Sequence, residues 1–283
     1  MAYDVRVMTY QQDNTNGKPN GDSLLVSPGF GREIYAVADG VSRFEKVDNG
    51  RSPLAAAQTF CMNVTEELKQ QKDLEAAFRT ANEGIRKLNV EYGITPETVD
   101  YLDNDYVSCV GIAGQLLLDD YASVFMYGAI GDCGLLVFNH KLLTVELVED
   151  ARLTHLEQIR DDWGFKNIDE RRMFWRREFR NRPASRFMTY GTLTGEEHAI
   201  AYLKKGCVYV EKGDTIILFS DGMSPFICDS RFRRCLQHAL VKLNNGADRD
   251  AFMHGVLHGL TVYPEEQHSK KINDDRAFIA VSV

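Results

Sequence analysis

Short apolar runs that end or begin at an aspartate recur along the 283-residue chain. Three of these runs end in an aspartate beside a glycine: IYAVADG at Asp39, FMYGAIGD at Asp132 and TIILFSDG at Asp221. Two further runs begin after acids: PNGDSLLV after Asp22, and NDDRAFIAVSV after Asp274 and Asp275. Runs of this length and composition are typical of β-strands. The chain is therefore expected to fold with carboxylates at many of its strand boundaries.

The order of the apolar patterns predicts an α+β fold. Strands are expected over residues 5–10, 23–26, 33–38, 107–118, 121–130, 135–138, 142–148, 215–219 and 277–283. Ser52-Pro53 and Asp73 each begin a segment with apolar residues at steps of three and four, which is typical of helices. Two more helices are expected between residues 230 and 260. Successive hairpins with few strand–helix–strand units favour antiparallel sheets with helices on their outer faces.

One segment, at about residues 152–190, differs from the rest of the chain. It holds nine arginines between Arg152 and Arg186, in a protein of net charge −8, together with Trp163 and Trp175. The pattern RRMFWRREFR is typical of a basic amphipathic helix. We expect an insertion that packs against a single domain spanning residues 1–283.

Composition excludes several classes of protein. A net charge of −8 and a pI near 5.4 argue against a nucleic-acid binder, which needs clustered cations. The longest apolar stretches are about ten residues, fewer than the ~20 that span a bilayer, so no membrane association is expected. The six cysteines form no CxxC pair, and the N-terminus does not resemble a signal peptide. A cytoplasmic location is predicted.

The five acids at strand boundaries predict a metal site. In an antiparallel sheet the end of one strand lies beside the start of the next, so their carboxylates can converge on one rim. Carboxylates gathered in this way are unfavourable unless cations lie among them. Hard oxygen ligands favour Mg²⁺ or Mn²⁺ over zinc. A single Asp-Gly is most simply a turn, but five acids at strand boundaries favour one shared site.

These motifs also carry a resemblance to a known family. The order N-G-D, A-D-G, G-D, S-D-G and then D-D before the last strand resembles the PPM (type 2C) family of metal-dependent serine/threonine phosphatases, in its bacterial form. The resemblance spans Asn20 to Val283 except for the arginine-rich insertion. It implies two stacked antiparallel β-sheets flanked by helices on both outer faces, an αββα sandwich.

The resemblance also implies a role for each acid. Asp39 would bridge two metal ions, and the carbonyl of Gly40 would bind one of them. Asp221 and Asp274 would complete the other ion's ligands. Asp39 is accordingly the main predicted catalytic residue.

The remaining two acids are implied to be auxiliary. Asp22 would act close by, as a second catalytic residue and mainly through metal-bound water. Asp132, together with Asp221, would suit a third ion. The implied cofactors are two or three Mn²⁺ or Mg²⁺ ions.

The implied reaction is hydrolysis of phosphoserine and phosphothreonine in proteins. Two divalent ions about 3.5–4 Å apart can share a water and lower its pKa enough to supply hydroxide near neutral pH. That hydroxide would attack phosphorus in line while the ions offset the phosphoryl charge. The implied partners are a phosphorylated protein and a serine/threonine kinase, as in signalling.

The chain departs from the family pattern at two positions. Gly17, followed by Lys18, stands where members often carry a phosphate-binding arginine, and Val41 stands where many carry histidine. Lys18 and Arg43 are therefore the candidate phosphate-binding residues. Two other functions stay open: a catalytically weak, phosphatase-like module that binds phosphoproteins, and a phosphatase of small molecules. The insertion is either a flap that favours acidic or phosphorylated substrates, or a helix whose arginines pair with the acidic body.

Overall fold

The structure is a computed structural model, and it describes residues 5–13, 20–28, 32–41, 52–118, 123–141, 144–148, 150, 152, 155–156, 163–165, 167–244, 255–256 and 274–283. Within these ranges the strands form two five-stranded sheets, and every pairing is antiparallel. The first sheet has the order β1 (Arg6–Gln12), β10 (Arg276–Ser282), β9 (Thr215–Phe219), β6 (Gly134–Asn139) and β7 (Thr144–Val148). The second sheet has the order β2 (Asp22–Ser27), β3 (Arg32–Gly40), β4 (Cys109–Leu117), β5 (Ser123–Ile130) and β8 (Lys204–Val210).

Three helices begin where the sequence predicts, at Pro53, at Leu74 and at Ser230. The helices are α1 (Pro53–Lys69), α2 (Leu74–Glu91), α3 (Ile168–Phe179), α4 (Ser224–Cys228) and α5 (Ser230–Asn244). Proline at the first position of α1 fits because its missing N–H would have no partner within the helix. Asp73 caps α2 by accepting a hydrogen bond from the backbone N–H of Ala76 at 2.9 Å. Two short 3₁₀ turns cover Glu197–Tyr202 and Asp221–Met223.

Alternation along the strands creates the layers of the fold. On β3, Tyr35 and Val37 pack in the apolar core between the two sheets, whereas Ile34, Ala36 and Ala38 pack against α1 and α2. The two sheets are thus stacked, and one of them has a helix pair on its outer face. Burying an aromatic or branched side chain in such a core contributes about 1.5–3 kcal/mol.

The first sheet has its own helical cover. Phe226 of α4 and Phe232 of α5 belong to one core cluster with Phe219 of β9 and Phe278 of β10. This layer completes the αββα arrangement, and the predicted fold class is confirmed. No described helix is both long enough and apolar enough to cross a membrane.

Three elements differ from the sequence prediction, one of which is the short helix α4, which was not predicted. Strand β8 was not predicted, and it lies at an edge of the second sheet with Lys204, Lys205 and Tyr209 exposed. Its first three residues are two lysines and a glycine, so the strand carries no long apolar run in the sequence. The first helix expected between residues 230 and 260 is α5, whereas most of the second lies outside the described residues.

Candidate metal centre

Two of the predicted acids lie side by side at one end of the second sheet. Asp22 begins β2, Asp39 lies at the end of β3, and the two residues are directly opposite each other in the antiparallel register. Residues in such pairs point to the same face, with Cβ atoms about 4.5–5.5 Å apart. Asp39 alternates in phase with Tyr35 and Val37, so both carboxyls face the space between the sheets. Asp22 is 1% exposed.

The first sheet contributes Asp221 and its neighbour Ser220. Both residues directly follow β9, and both are buried. The hydroxyl of Ser220 donates to Oδ2 of Asp22 at 2.7 Å and accepts from the backbone N–H of Ala277 at 2.9 Å. Asp221 lies close enough to Asp39 to help raise the pKa of that carboxyl. Side chains from both sheets therefore meet at this rim.

The start of β10 brings two more carboxyls. Asp275 accepts a hydrogen bond from the backbone N–H of Gly21 at 2.7 Å, and Asp274 beside it is exposed. Asp132, in the turn between β5 and β6, acts electrostatically on Asp39. We call the six acids at this rim the carboxyl cluster: Asp22, Asp39, Asp132, Asp221, Asp274 and Asp275.

Burial and mutual repulsion act together in the carboxyl cluster. The pKa of Asp22 is raised to about 8: burial is the largest cause, Asp221, Asp275 and Asp274 add to the rise, and the hydrogen bond from Ser220 opposes it. The pKa of Asp39 is raised well above its usual range, first by burial and then by Asp221, Asp22 and Asp132. Both shifts express the cost of holding several negative charges together away from water.

Glycines beside two of the acids allow close backbone approach. A Cβ atom at Gly40 would lie 2.7 Å from the carbonyl oxygen of Gly21 and would collide with the backbone of Pro53. A Cβ at Gly222 would collide with the carbonyl oxygen of Asp275. Glycine at these positions lets the Asp39 and Asp221 turns pack against the starts of α1 and β10.

The residues of the carboxyl cluster suit divalent cations. Within the described ranges, no three His, Cys, Asp or Glu side chains form a group that could hold a metal ion as they stand. The donors themselves are hard carboxylate oxygens, which Mg²⁺ and Mn²⁺ prefer. Oδ1 of Asp22 is buried and has no hydrogen-bond partner among these residues. Cations among the acids would offset the repulsion that raises their pKa values.

Comparison with solved structures finds matches along nearly the whole chain, and a serine/threonine phosphatase is among them. PppA, a key regulatory component of T6SS in Pseudomonas aeruginosa, matches with a TM-score of 0.59 and 17% identity over 99% of this chain and 98% of its own. The catalytic domain of the serine/threonine phosphatase PstP, a Mycobacterium tuberculosis protein, matches with a TM-score of 0.54 and 16% identity over 98% and 97%. RsbX matches with a TM-score of 0.56 and 12% identity over 98% and 94%.

This chain has the PP2C fold. The PPM resemblance predicted from the order of the aspartates is confirmed at the level of the fold. The PstP structure is a complex with two manganese ions, and the RsbX structure is a complex with magnesium. No protein-family model and no curated protein matches the chain. At identities of 12–17%, these structural matches establish the fold alone. The activity therefore has to be argued from the residues of the site.

The residues around the carboxyl cluster include some that the sequence did not predict, and two predicted residues are not described. Lys18 and Arg43, the candidate phosphate-binding residues, lie outside the described residues. Sequence reasoning missed the parts played by Ser220 and Asp275, although each stands next to a predicted acid in S-D-G and D-D. It also missed Gln11, whose side-chain amide donates to the backbone carbonyl of Asp22 at 2.8 Å. Gln11 lies on another sheet and carries no signal in the sequence.

The predicted helix of the insertion is α3. Asn167 caps the start of this helix by accepting a hydrogen bond from the backbone N–H of Asp169. In its last turns the rings of Trp175 and Phe179 stack with their centroids 4.4 Å apart. Arginines of the insertion make ion pairs with acids outside it: Arg152 with Asp150, Arg176 and Arg180 with Asp105, and Arg182 with Glu196. These pairs favour the interpretation in which the arginines bind the acidic body. A role as a substrate flap stays a prediction.

Proposed function

We propose that this chain is a metal-dependent phosphatase that hydrolyses phosphoserine and phosphothreonine monoesters in proteins. The observation that supports this function best is the carboxyl cluster, in which acids from both sheets gather at one rim. A buried oxygen of Asp22 at this rim has no hydrogen-bond partner among the residues that the structure describes. A stable fold tolerates such a cluster only if its charge is offset, and bound cations would offset it at neutral pH without protonating the acids. The likeness to PP2C-type phosphatases is consistent with this interpretation.

The proposed ligands follow the positions of the acids. Asp39, Asp221 and Asp274, with the carbonyl oxygen of Gly40, would hold two Mn²⁺ or Mg²⁺ ions. Asp132 together with Asp221 would hold a third. When bound, such ions supply a Lewis acid and a water of lowered pKa.

The chain's own residues would orient the reactants. Ser220 holds one oxygen of Asp22, which leaves Oδ1 fixed and able to accept a hydrogen bond from the attacking water. The core between the sheets excludes bulk water from the inner side of the rim. Lys18 and Arg43 are the proposed phosphate-binding residues. We further propose a phosphorylated protein substrate with a partner serine/threonine kinase, in the cytoplasm.

The test is hydrolysis of an aryl phosphate and of phosphoserine and phosphothreonine peptides with Mn²⁺ or Mg²⁺. Chelation should abolish activity, and Asp39→Asn and Asp221→Asn should each lower it by about a hundredfold or more, because ligand-shell changes have effects of this order. Asp103→Asn, which changes an exposed carboxyl in the loop before β4, is the matched control and should leave activity unchanged.

Three results would argue for something else. Activity that survives chelation, or survives both cluster substitutions, would overturn the metal-dependent mechanism. Metal-dependent binding of phosphopeptides without phosphate release would identify a phosphoprotein-binding module. Higher kcat/KM on metabolite phosphates than on phosphopeptides would identify a small-molecule phosphatase.

A further inference from the structure

A buried ion pair fixes the base of the insertion to the body of the protein. Arg180 directly follows α3, and its guanidinium donates to both carboxylate oxygens of Asp105, at 3.0 and 2.7 Å. Arg176, in the last turn of α3, contacts the same carboxylate at 3.0 Å. Asp105 and Arg180 are each 2% exposed. A two-pronged contact of this kind fixes the orientation of both partners as well as their separation.

The charge on Asp105 is maintained by its partners. Burial acts to raise its pKa, but Arg180 and Arg176 lower it more, and the pKa lies below the usual range. The guanidinium of Arg180 also lies 5.7 Å from the ring centres of Tyr101 and Tyr106. Since neither buried charge can lose its partner without a large cost, this contact has one strongly preferred geometry.

Asp105 begins a segment that leads directly to the carboxyl cluster; we call residues 105–110 the linking segment. The carbonyl of Ser108 accepts a hydrogen bond from the backbone N–H of Val41 at 3.0 Å. Cys109 lies directly opposite Gly40 in the β3–β4 register. The backbone that carries the predicted Gly40 ligand therefore pairs with the linking segment.

The last residue of the linking segment touches two of the acidic turns. Val110 lies directly opposite Asp39 in the register. Its side chain also packs so closely on Gly131 that a Cβ there would collide with it. Gly131 precedes Asp132, so a shift of the linking segment would reach both of these acids.

The chain that returns from the insertion is tied to the same segment. Leu193 and Cys109 exchange two backbone hydrogen bonds, of 3.1 and 2.9 Å. The side chain of Asn89 on α2 bonds both backbone groups of Val107 at 2.8 Å and the carbonyl of Thr194 at 3.0 Å. The linking segment is thus held at its start by Arg180 of the insertion, and near its end by Leu193 in the chain that follows the insertion.

We propose that Arg180 is a positioning residue for the candidate metal centre, acting through Asp105 and the linking segment on Asp39, Gly40 and Asp132. Through this contact the insertion would affect the affinity of the candidate metal centre for divalent ions. This inference rests on the proposed function, because it presupposes that the carboxyl cluster binds metal.

The test compares Arg180→Lys with the wild-type protein by calorimetric titration with Mn²⁺. Lysine keeps the charge but cannot hold both oxygens of Asp105. We expect a metal Kd weakened by about tenfold, the order found for residues that orient ligands. The value of kcat at saturating Mn²⁺ should stay within about twofold of wild type, because the ligands themselves are intact. Arg177→Lys is the matched control, since Arg177 lies on the same helix but pairs with exposed Glu178, and it should bind metal as wild type does.

Each outcome bears on the inference. A folded Arg180→Lys protein with wild-type metal affinity would overturn it, and so would an equal loss of affinity in the Arg177→Lys control. If Arg180→Lys does not fold, Arg176→Lys decides, because it removes only the second contact to Asp105: weakened affinity supports the inference and wild-type affinity overturns it. A wild-type protein that binds no metal would overturn the proposed function itself.

Discussion

At the scale of single residues, Ser220 connects the two sheets at the carboxyl cluster. Its hydroxyl is fully buried, donates to Asp22 on one sheet and accepts from the backbone of Ala277 on the other. The bond to Asp22 stabilises the ionised carboxylate and opposes the rise of its pKa. One hydroxyl therefore contributes both to the packing of the rim and to the charge state of a predicted catalytic residue.

Replacing Ser220 by alanine should lower the free energy of unfolding by about 1–3 kcal/mol, because two buried polar groups lose their partner. The measurement is chemical denaturation of the metal-free protein. Thr215→Val on the same strand is the control: the hydroxyl of Thr215 is buried but makes no hydrogen bond among the described residues. Its removal should be neutral or stabilising. Equal losses in the two variants would contradict this prediction, because they would show that the hydrogen bonds of Ser220 contribute no stability of their own.

Single residues also show which features of the site can be predicted from the sequence and which cannot. The positions of Asp39 and Asp221 at strand ends could be predicted, because each follows an apolar run and precedes glycine. The contact between Ser220 and Asp22 joins residues 198 positions apart, and no local pattern encodes it. Asp105 and Arg180 were missed for the same reason: their pairing, 75 positions apart, depends on how the insertion folds back.

At the scale of elements, patterns predict what is buried on a regular face. The steps of three and four after Ser52 and Asp73 predicted α1 and α2, and continuous apolar runs predicted β4, β5 and β9. Strand β8, with the sequence KKGCVYV, was missed because it begins with two lysines and a glycine, so no long apolar run marks it. Tertiary pairing with β5 makes it a strand.

The two helix caps differ in a way that stability measurements can detect. Asp73 accepts a hydrogen bond at the start of α2, whereas the Ser52 side chain makes no such bond at the start of α1. Asp73→Ala should therefore lower the free energy of unfolding by about 1 kcal/mol. Ser52→Ala should change it by only a few tenths of that amount, and a comparable loss in both variants would contradict the assignment of the caps. Urea denaturation of the two variants in parallel is the measurement.

At the scale of the whole molecule, apolar packing between the sheets and repulsion within the carboxyl cluster oppose each other. The apolar core between the sheets brings β2 and β3 of one sheet close to β9 and β10 of the other. The acids at their ends are then forced together, and the raised pKa values of Asp22 and Asp39 reflect that repulsion. The folded-state pKa values of these carboxyls lie above those of the unfolded chain. The metal-free protein should therefore be more stable at low pH, where the acids are protonated, and should lose stability as the pH rises towards about 8.

This conflict predicts that one substitution has opposite effects with and without metal. In the metal-free protein at pH 7, Asp39→Asn should raise the free energy of unfolding. When the wild-type chain folds, this carboxyl must either take up a proton or keep its charge beside the other acids, and asparagine avoids both costs. With Mn²⁺ at 100 times its Kd, the wild-type protein should gain about 2.7 kcal/mol from binding.

The Asp39→Asn variant should lose most of that gain, so the order of stability should reverse between chelator and saturating Mn²⁺. Thermal unfolding in both conditions is the measurement, with Asp103→Asn as the control that should follow wild type in each. If Asp39→Asn is less stable than wild type without metal, the carboxyl cluster is held by hydrogen bonds that outweigh its repulsion. If Mn²⁺ stabilises both proteins equally, the ions bind elsewhere.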